Sequence, residues 1–391
     1  MRQVVEYASR TLSKAGEELC GDTVDIGSTP TSFIAVLSDG LGSGVKANIL
    51  STLTAQIAST MFKEGAHVED VIETLASTLP ECQVRKLAYA TFAMIKVVRG
   101  REAYVVEYDS PPLIVVRGNK LLPIEARERT INGRKVREAE FDLQVGDYMV
   151  IVSDGYEHAG VGKLYRLGWG WQNIAVSVER WAGTNCDAYE LIHALTTTCL
   201  KLYDGKPGDD ASAIAMRVRP AVAATILTGP PANKEDDARA VTKLMEGRGL
   251  KAICGGTTAQ MAARVLGREL KVEWVRPSQR HGEGPRKQGT PPVARLEGVD
   301  LVTEGILTLG KTAELLEKAE STRDLPHDSD AATQLARILL SADDIHLIVG
   351  MALNPNQVAD VIRGQPMRHM YIRQIVRDLK RRQKRVTEEY I

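Results

Sequence analysis

Four phenylalanines in 391 residues leave the interior to be built largely from aliphatic side chains. Cysteine is almost as scarce. Cys20, Cys82, Cys186, Cys199 and Cys254 are odd in number, scattered and without a C-x-x-C pair, which argues against a zinc site or a disulfide framework. Neither sign of charge is in excess: 50 Lys and Arg face 50 Asp and Glu, so nothing global calls for a nucleic-acid or membrane partner. No apolar run approaches the length of a membrane span, and the opening MRQVVEYASRTLSKAGEELCGD lacks the continuous apolar stretch of a signal peptide. A reducing cytoplasm is the expected location. There is no G-x-G-x-x-G, so no dinucleotide fingerprint is present. What remains is ordinary globular usage, 43% hydrophobic and 26% charged, in a chain longer than one average domain needs.

Two domains are expected, at 1–219 and 220–391. In the first, an apolar run at 33–37 stops at Ser38-Asp39-Gly40 and reads as a buried strand entering a tight turn. Val45 to Phe62 carries Ile49, Leu53, Ile57 and Met61 at helical spacing, and His67 to Leu79 carries Val68, Ile72, Leu75 and Leu79. Strands are predicted at 90–98, 103–108, 113–117 and 148–152, helices at 171–181 and 187–203, and a last strand at 211–218. This block order predicts an α+β sandwich and not a regular βαβ wind. After Pro220 the texture changes. Strands at 223–227, 250–254, 299–302 and 345–349 alternate with helices at 235–247, 257–266, 309–319 and 330–341, the pattern of an α/β domain with a mostly parallel sheet. The polar, Gly- and Pro-rich stretch 276–292 reads as a loop, and the basic segment 368–385 as a helix with an apolar stripe through Met370, Ile372, Ile375, Val376 and Leu379.

Acidic residues fall where strands end. Asp22 follows Gly21, Asp39 closes one strand in SDGLGSG, Asp154 closes another in VSDG, and Asp209-Asp210 precede the final strand in GDDAS. A carboxylate at a strand end is held rigidly, and hard divalent cations prefer carboxylate, carbonyl and water oxygens. The following glycine lets the backbone turn and expose its carbonyl. Asp-Gly is also common turn chemistry, so each motif alone says little. The ordered set is harder to dismiss. Gly21-Asp22, then Asp39-Gly40-Leu41-Gly42-Ser43-Gly44, Ala90-Thr91-Phe92, Ser153-Asp154-Gly155 and Asp209-Asp210-Ala211-Ser212 resembles, over roughly residues 16–218, the metal-dependent PPM phosphatases and most nearly their bacterial sporulation stage II protein E (SpoIIE) branch.

That resemblance implies a PPM-type β-sandwich flanked by helices and a protein serine/threonine phosphatase acting in bacterial signalling. It implies two Mn²⁺ or Mg²⁺ ions that activate a water to attack phosphorus. Residue by residue, Asp39 would bridge the ions and the Gly40 carbonyl would bind one. Asp154 and Asp209 would complete the other ion's set, and Asp22 would act through water. Asp210, where many relatives carry Asn, is expected to orient groups. Leu41 stands where eukaryotic relatives carry a histidine able to act as general acid, a histidine that the bacterial branch also lacks. Arg10 is the one weak candidate for a phosphate clamp, and His158 reads as a surface residue without a partner.

The second domain offers Lys251-Ala252-Ile253-Cys254-Gly255-Gly256-Thr257-Thr258, a strand running into a Gly-rich turn and a helix that Thr257 or Thr258 could cap. Similar loops stand at Thr228-Gly229-Pro230-Pro231, Thr303-Glu304-Gly305 and Gly350. Gly255, Gly256, Thr257, Thr258 and Glu304 are the candidate binding residues for a small anionic ligand at the carboxyl end of the sheet, against plain helix capping. The expected partner is a phosphorylated protein substrate. The alternative is a catalytically weak ligand-sensing or scaffold protein that works through this second domain.

Overall fold

In the computed structural model, residues 2–29, 31–78, 90–162, 165–273, 293–327, 330–352, 361–362 and 365–391 are described. Leu79, Cys82 and the expected loop at 276–292 lie outside them. The chain divides into two compact units, Met1–Pro220 and Ala221–Ile391.

The N-terminal unit is a four-layer α/β/β/α sandwich. One sheet takes β1 (Gln3–Leu12), β6 (Ile114–Arg117), β7 (Lys120–Leu121), β10 (Tyr148–Val152) and β11 (Ala211–Pro220) in the order β1-β11-β10-β6-β7. The other takes β2 (Asp22–Ser28), β3 (Ser32–Gly40), β4 (Ala90–Val98), β5 (Glu102–Tyr108), β8 (Arg127–Ile131) and β9 (Arg134–Asp142) in the order β2-β3-β4-β5-β9-β8. All these pairings are antiparallel. Strand alternation then assigns the layers. Ala35, Leu37, Ala93, Ile95 and Val105 from one sheet meet Val115, Met149, Ile151, Ile214 and Met216 from the other in an apolar layer between them. The outer faces pack on helices. Ile34, Val36, Phe92 and Met94 lie under α1 (Gly44–Lys63) and α2 (Val68–Thr78). Ile114, Val150, Ala213 and Ala215 lie under α4 (Trp171–Ala182) and α5 (Ala188–Leu202). The short helix α3 (Asp154–Glu157) follows β10 directly.

Helix α1 shows why an apolar stripe can mislead. Its buried face is made of small residues and only a few large ones: Ala47, Ser51, Thr54, Ala55, Ala58 and Ser59, with Leu50 and Phe62. Ile49 and Leu53, on the stripe read from the sequence, are 53% and 41% exposed. The small face lets the helix backbone approach the sheet so closely that a Cβ on Gly40 would lie 2.2 Å from the Ala47 carbonyl oxygen.

The C-terminal unit holds a sheet in the order β14-β15-β16-β13-β12-β17-β20. It comprises β12 (Ala223–Thr228), β13 (Leu250–Cys254), β14 (Lys271–Glu273), β15 (Val293–Leu296), β16 (Val299–Thr303), β17 (Asp344–Val349) and β20 (Arg385–Tyr390). β18 (Val361–Ile362) and β19 (Gln365–Pro366) form a separate small ladder. From β16 to β20 the strands run parallel, with β14 and β15 as an antiparallel edge. α6 (Asp237–Glu246) and α7 (Gly256–Leu266) cover one face; α8 (Ile306–Lys318), α9 (Ala331–Ser341) and α10 (Met367–Arg381) cover the other. The α/β reading of this unit therefore stands. Its basic helix buries Ile372, Ile375, Val376 and Leu379, while Met370 is exposed. Among the described residues no helix is long and apolar enough to cross a membrane.

Candidate metal centre

The pairing of strands decides where the carboxylates meet. Antiparallel register sets Asp22, at the start of β2, directly opposite Asp39 near the end of β3, and Asp39 opposite Thr91 on β4. From the other sheet, Asp154 opens α3 immediately after β10, and Asp209 and Asp210 lead into β11, which pairs with β10. The four acidic sites thus gather at one end of the sandwich, where both sheets deliver strand termini.

A chain of polar bonds fixes them. Ser153 donates its hydroxyl to Asp22 Oδ2 at 2.7 Å and accepts the Ser212 backbone N–H at 2.9 Å. Ser212 in turn donates to Thr11 Oγ1 at 3.0 Å. Asp210 Oδ1 accepts the Lys14 backbone N–H at 2.9 Å, and Asp209 Oδ1 accepts the N–H of Asp210 at 3.0 Å. Asp22 and Asp210 are each only 4% exposed, while Asp39, Asp154 and Asp209 are partly open. Asp22 Oδ1 and Asp210 Oδ2 are buried with no hydrogen-bond partner among the described residues.

Such an arrangement is electrostatically costly when nothing positive is added. Burial, then the carboxylates of Asp22, Asp154 and Asp209, push the Asp39 carboxyl well above the usual carboxylate range. Burial also raises Asp22, against the opposing hydrogen bond from Ser153. Asp209 is raised by burial and by Asp154. Among the described residues, ligand atoms of Asp154, His158 and Asp209 all lie within 4.8 Å of one another, a spacing at which they could hold one ion. Crowded carboxylates with orphaned buried oxygens are the donor set a hard divalent cation wants, so these residues fit a metal.

The structure brings together Asp22, Asp39, Asp154 and Asp209, with Asp210 beneath them. The reason for glycine differs from the expected one. Gly40 and Gly155 are needed for space and not for a special turn: a Cβ on Gly155 would lie 2.0 Å from the Asp210 carbonyl oxygen, and its own carbonyl accepts from Tyr203 at 2.6 Å. Arg10 is no clamp in this arrangement, because its guanidinium lies over the Tyr189 ring at 5.4 Å. Two residues of the site had no local signal. The Lys14 ammonium stands 3.9 Å from Asp209 Oδ1, placed there by the loop after β1. His158, read as unpartnered, has Nδ1 3.9 Å from Asp154 Oδ2 because the single turn of α3 carries it onto the same side. An open groove of about 700 Å³ runs from Asp154 and Glu157 past Tyr108, Pro111, Arg134 and Lys135.

The family model described as Stage II sporulation protein E (SpoIIE) matches residues 29–219, the stretch that carries Asp39, Asp154 and Asp209. Over these residues the chain is similar to a SpoIIE domain. Among curated proteins the chain resembles Stage II sporulation protein E of Bacillus subtilis (strain 168), 23% identical over 150 residues, which is 37% of this chain and 18% of that protein. The chain therefore spans under a fifth of that relative. Of solved structures, the PP2C phosphatase domain of Bacillus subtilis SpoIIE with a fragment of its regulatory domain matches at 21% identity and a TM-score of 0.47, covering 56% of this chain and 64% of that one. The PP2C domain of SiaA from Pseudomonas aeruginosa matches at 18% identity and a TM-score of 0.44, covering 54% and 85%.

In the C-terminal unit the structure corrects one detail of the expected site. Helix α7 begins at Gly256, so Thr257 and Thr258 lie inside its first turn and neither caps it; the cap position is Gly255, without a side-chain bond. Gly255 donates its N–H to the Thr303 carbonyl at 2.9 Å, and the Gly255 and Gly305 turns are in contact. Thr258 is buried, and Glu304 Oε2 is buried with no partner among the described residues.

Proposed function

We propose that the N-terminal unit is a metal-dependent protein serine/threonine phosphatase that hydrolyses phosphoserine or phosphothreonine on a partner protein. The observation that carries this reading is the convergence of Asp22, Asp39, Asp154 and Asp209 from two sheets onto one end of the sandwich, in a unit similar to a SpoIIE domain. Asp39, the Gly40 carbonyl, Asp154 and Asp209 would hold the Mn²⁺ or Mg²⁺ ions. Bound there, the ions supply an activated water and neutralise charge on the phosphoryl oxygens.

The remaining residues have defined tasks. Ser153 keeps Asp22 oriented toward Asp39. Lys14, beside Asp209, offers an ammonium to a phosphoryl oxygen. His158, beside Asp154, offers an imidazole that can pass a proton to the departing serine oxygen, the task for which Leu41 is unsuited. The open groove beside Asp154 offers a surface for polypeptide next to the phosphoserine.

The test is release of phosphate from a phosphoserine protein and from a small aryl phosphate with added Mn²⁺. Wild type should act on both, while Asp39→Asn and Asp154→Asn should each fall by about a thousandfold, in keeping with the several kcal/mol that a catalytic metal supplies. Full activity in Asp39→Asn would remove it from the metal set. Turnover of the small ester alone would replace the protein phosphatase with a small-ester hydrolase.

A further inference from the structure

The order of the parallel strands in the C-terminal unit is β16-β13-β12-β17-β20. The chain starts at β12, steps outward through β13 to β16, then returns to the other side of β12 with β17 and continues to β20. The helices change face with that reversal: α6 and α7 lie on one side, α8 to α10 on the other. The gap between the ends of β12 and β17 is therefore a topological switch point, where connections leave the sheet in opposite directions. It is one strand removed from the Gly255 turn.

The polar groups at this point are short of partners among the described residues. Thr228 ends β12, opposite Val349 of β17. By alternation it lies on the face of Ala224 and Ile226, under α8 and α10. It is fully buried, and its hydroxyl has no partner among the described residues. Arg368, in the first turn of α10, lies against Gly229 and donates to the Gly350 carbonyl at 3.2 Å. No carboxylate pairs with it among the described residues, and burial alone lowers its pKa. A half-buried guanidinium with five N–H donors and no acid is a costly group unless an anion joins it. Gly229, at φ 77°, is needed here, since a Cβ would lie 2.1 Å from Arg368 Nη1.

Two helices begin at this edge of the sheet, α8 after β16 and α10 after β17. Gly310 of α8 packs on the Tyr371 ring of α10, which sets their second turns side by side. Neither first turn contains an acidic residue, and α8 has no side-chain cap. Thr308 in the first turn of α8 is fully buried, with a hydroxyl that has no partner among the described residues. Side chains in a helix tilt toward its amino end, so this hydroxyl points to the same edge.

We infer that the switch point between β12 and β17 binds a phosphate-bearing small molecule through the Arg368 guanidinium and the Thr228 hydroxyl, at the adjoining amino ends of α8 and α10. The phosphate supplies the acceptors that the guanidinium, the hydroxyls and the first-turn amides lack. This site is independent of the phosphatase reading, because it uses none of the acidic residues of the other unit.

The full chain, held in a chelator so that the acidic centre has no metal to recruit phosphate, is titrated with inorganic phosphate and separately with a nucleoside monophosphate, by calorimetry and thermal denaturation. Wild type should show saturable binding and a rise in melting temperature. Arg368→Gln and Thr228→Val should each bind about tenfold more weakly or worse, the cost of losing one charge-assisted or buried bond. Thr228→Val exchanges an unpartnered buried hydroxyl for a methyl, so it should melt no lower than wild type without ligand, which separates a lost site from a lost fold. Asp39→Asn should keep the phosphate response. Equal affinity for the two probes assigns the site to phosphate itself, and tighter binding of the nucleotide assigns it to an organic phosphate. No saturable response to either probe, or one that survives in both variants, overturns the inference.

Discussion

Two places in the molecule, one in each unit, hold buried polar groups without partners among the described residues, and the charges gathered there are of opposite sign. At the acidic end of the sandwich, Asp22, Asp39, Asp154 and Asp209 crowd together with two buried oxygens unsatisfied. At the switch point of the parallel sheet, Arg368 lies beside the turn after the buried Thr228 hydroxyl, with no paired carboxylate among the described residues. A folded chain that tolerates such groups has deferred their satisfaction to something it binds, and the sign of the excess names the ligand: cations for the first, an anion for the second.

The sharpest way to break this contrast is to titrate the metal-free protein. Asp39 and Asp22 have folded-state pKa values raised above the ordinary range, so the folded state holds protons that the unfolded chain gives up. Their contribution to stability is therefore largest below about pH 4 and is lost progressively as pH rises above it. Chemical denaturation without metal should show the N-terminal unit weakening from pH 5 to pH 8. Added Mn²⁺ should reverse that trend, because the metal needs the deprotonated carboxylates. Asp39→Asn should flatten the metal-free slope and raise stability at pH 8 while removing the Mn²⁺ response. A metal-free slope of the opposite sign would mean that the carboxylates are not in conflict.

Of intermediate size is Ser153→Ala. It removes the donor to Asp22 and the acceptor of the Ser212 N–H, both buried, and should cost about 1–3 kcal/mol in denaturant melts. Activity should fall with it, since Asp22 then loses its orientation. The smallest effect is expected at a place where the chain satisfies itself. Asp330 caps α9, accepting the N–H groups of Ala332 and Thr333, and pairs with Lys311. Asp330→Ala should cost the C-terminal unit about 1–2 kcal/mol by thermal or denaturant melting, with no ligand able to restore the loss.

Much of this was legible in the sequence because strand ends are. The expected strand at 250–254 coincides with β13, and the acidic residues that stop apolar runs are those that meet in space. The C-terminal alternation also reads through to a parallel sheet, although β20 at its edge was missed, where charged residues interrupt the apolar pattern. β1 escaped for a related reason, since its residues are half-exposed and alternate weakly. Ile49 and Leu53 of the α1 stripe point outward, while Ile57 and Met61 pack on the core, because a helix seated this close to a sheet must use small residues. Lys14 and His158 reach the site only through tertiary placement. So does Arg368, which is separated in sequence from every strand end it serves.

The serine at position 153 joins two layers as well as orienting an aspartate. The sandwich is glued along its length by apolar side chains, but at the acidic end it is laced by hydroxyls, from Thr11 and Ser212 on one sheet through Ser153 to Asp22 on the other. A seam of this kind tightens or slackens with the charge on its last member, because a carboxylate accepts from Ser153 more strongly than a carboxylic acid does. The Ser212 amide, tied to that same hydroxyl, is thereby a gauge of the seam, and its hydrogen exchange slows as Asp22 becomes charged.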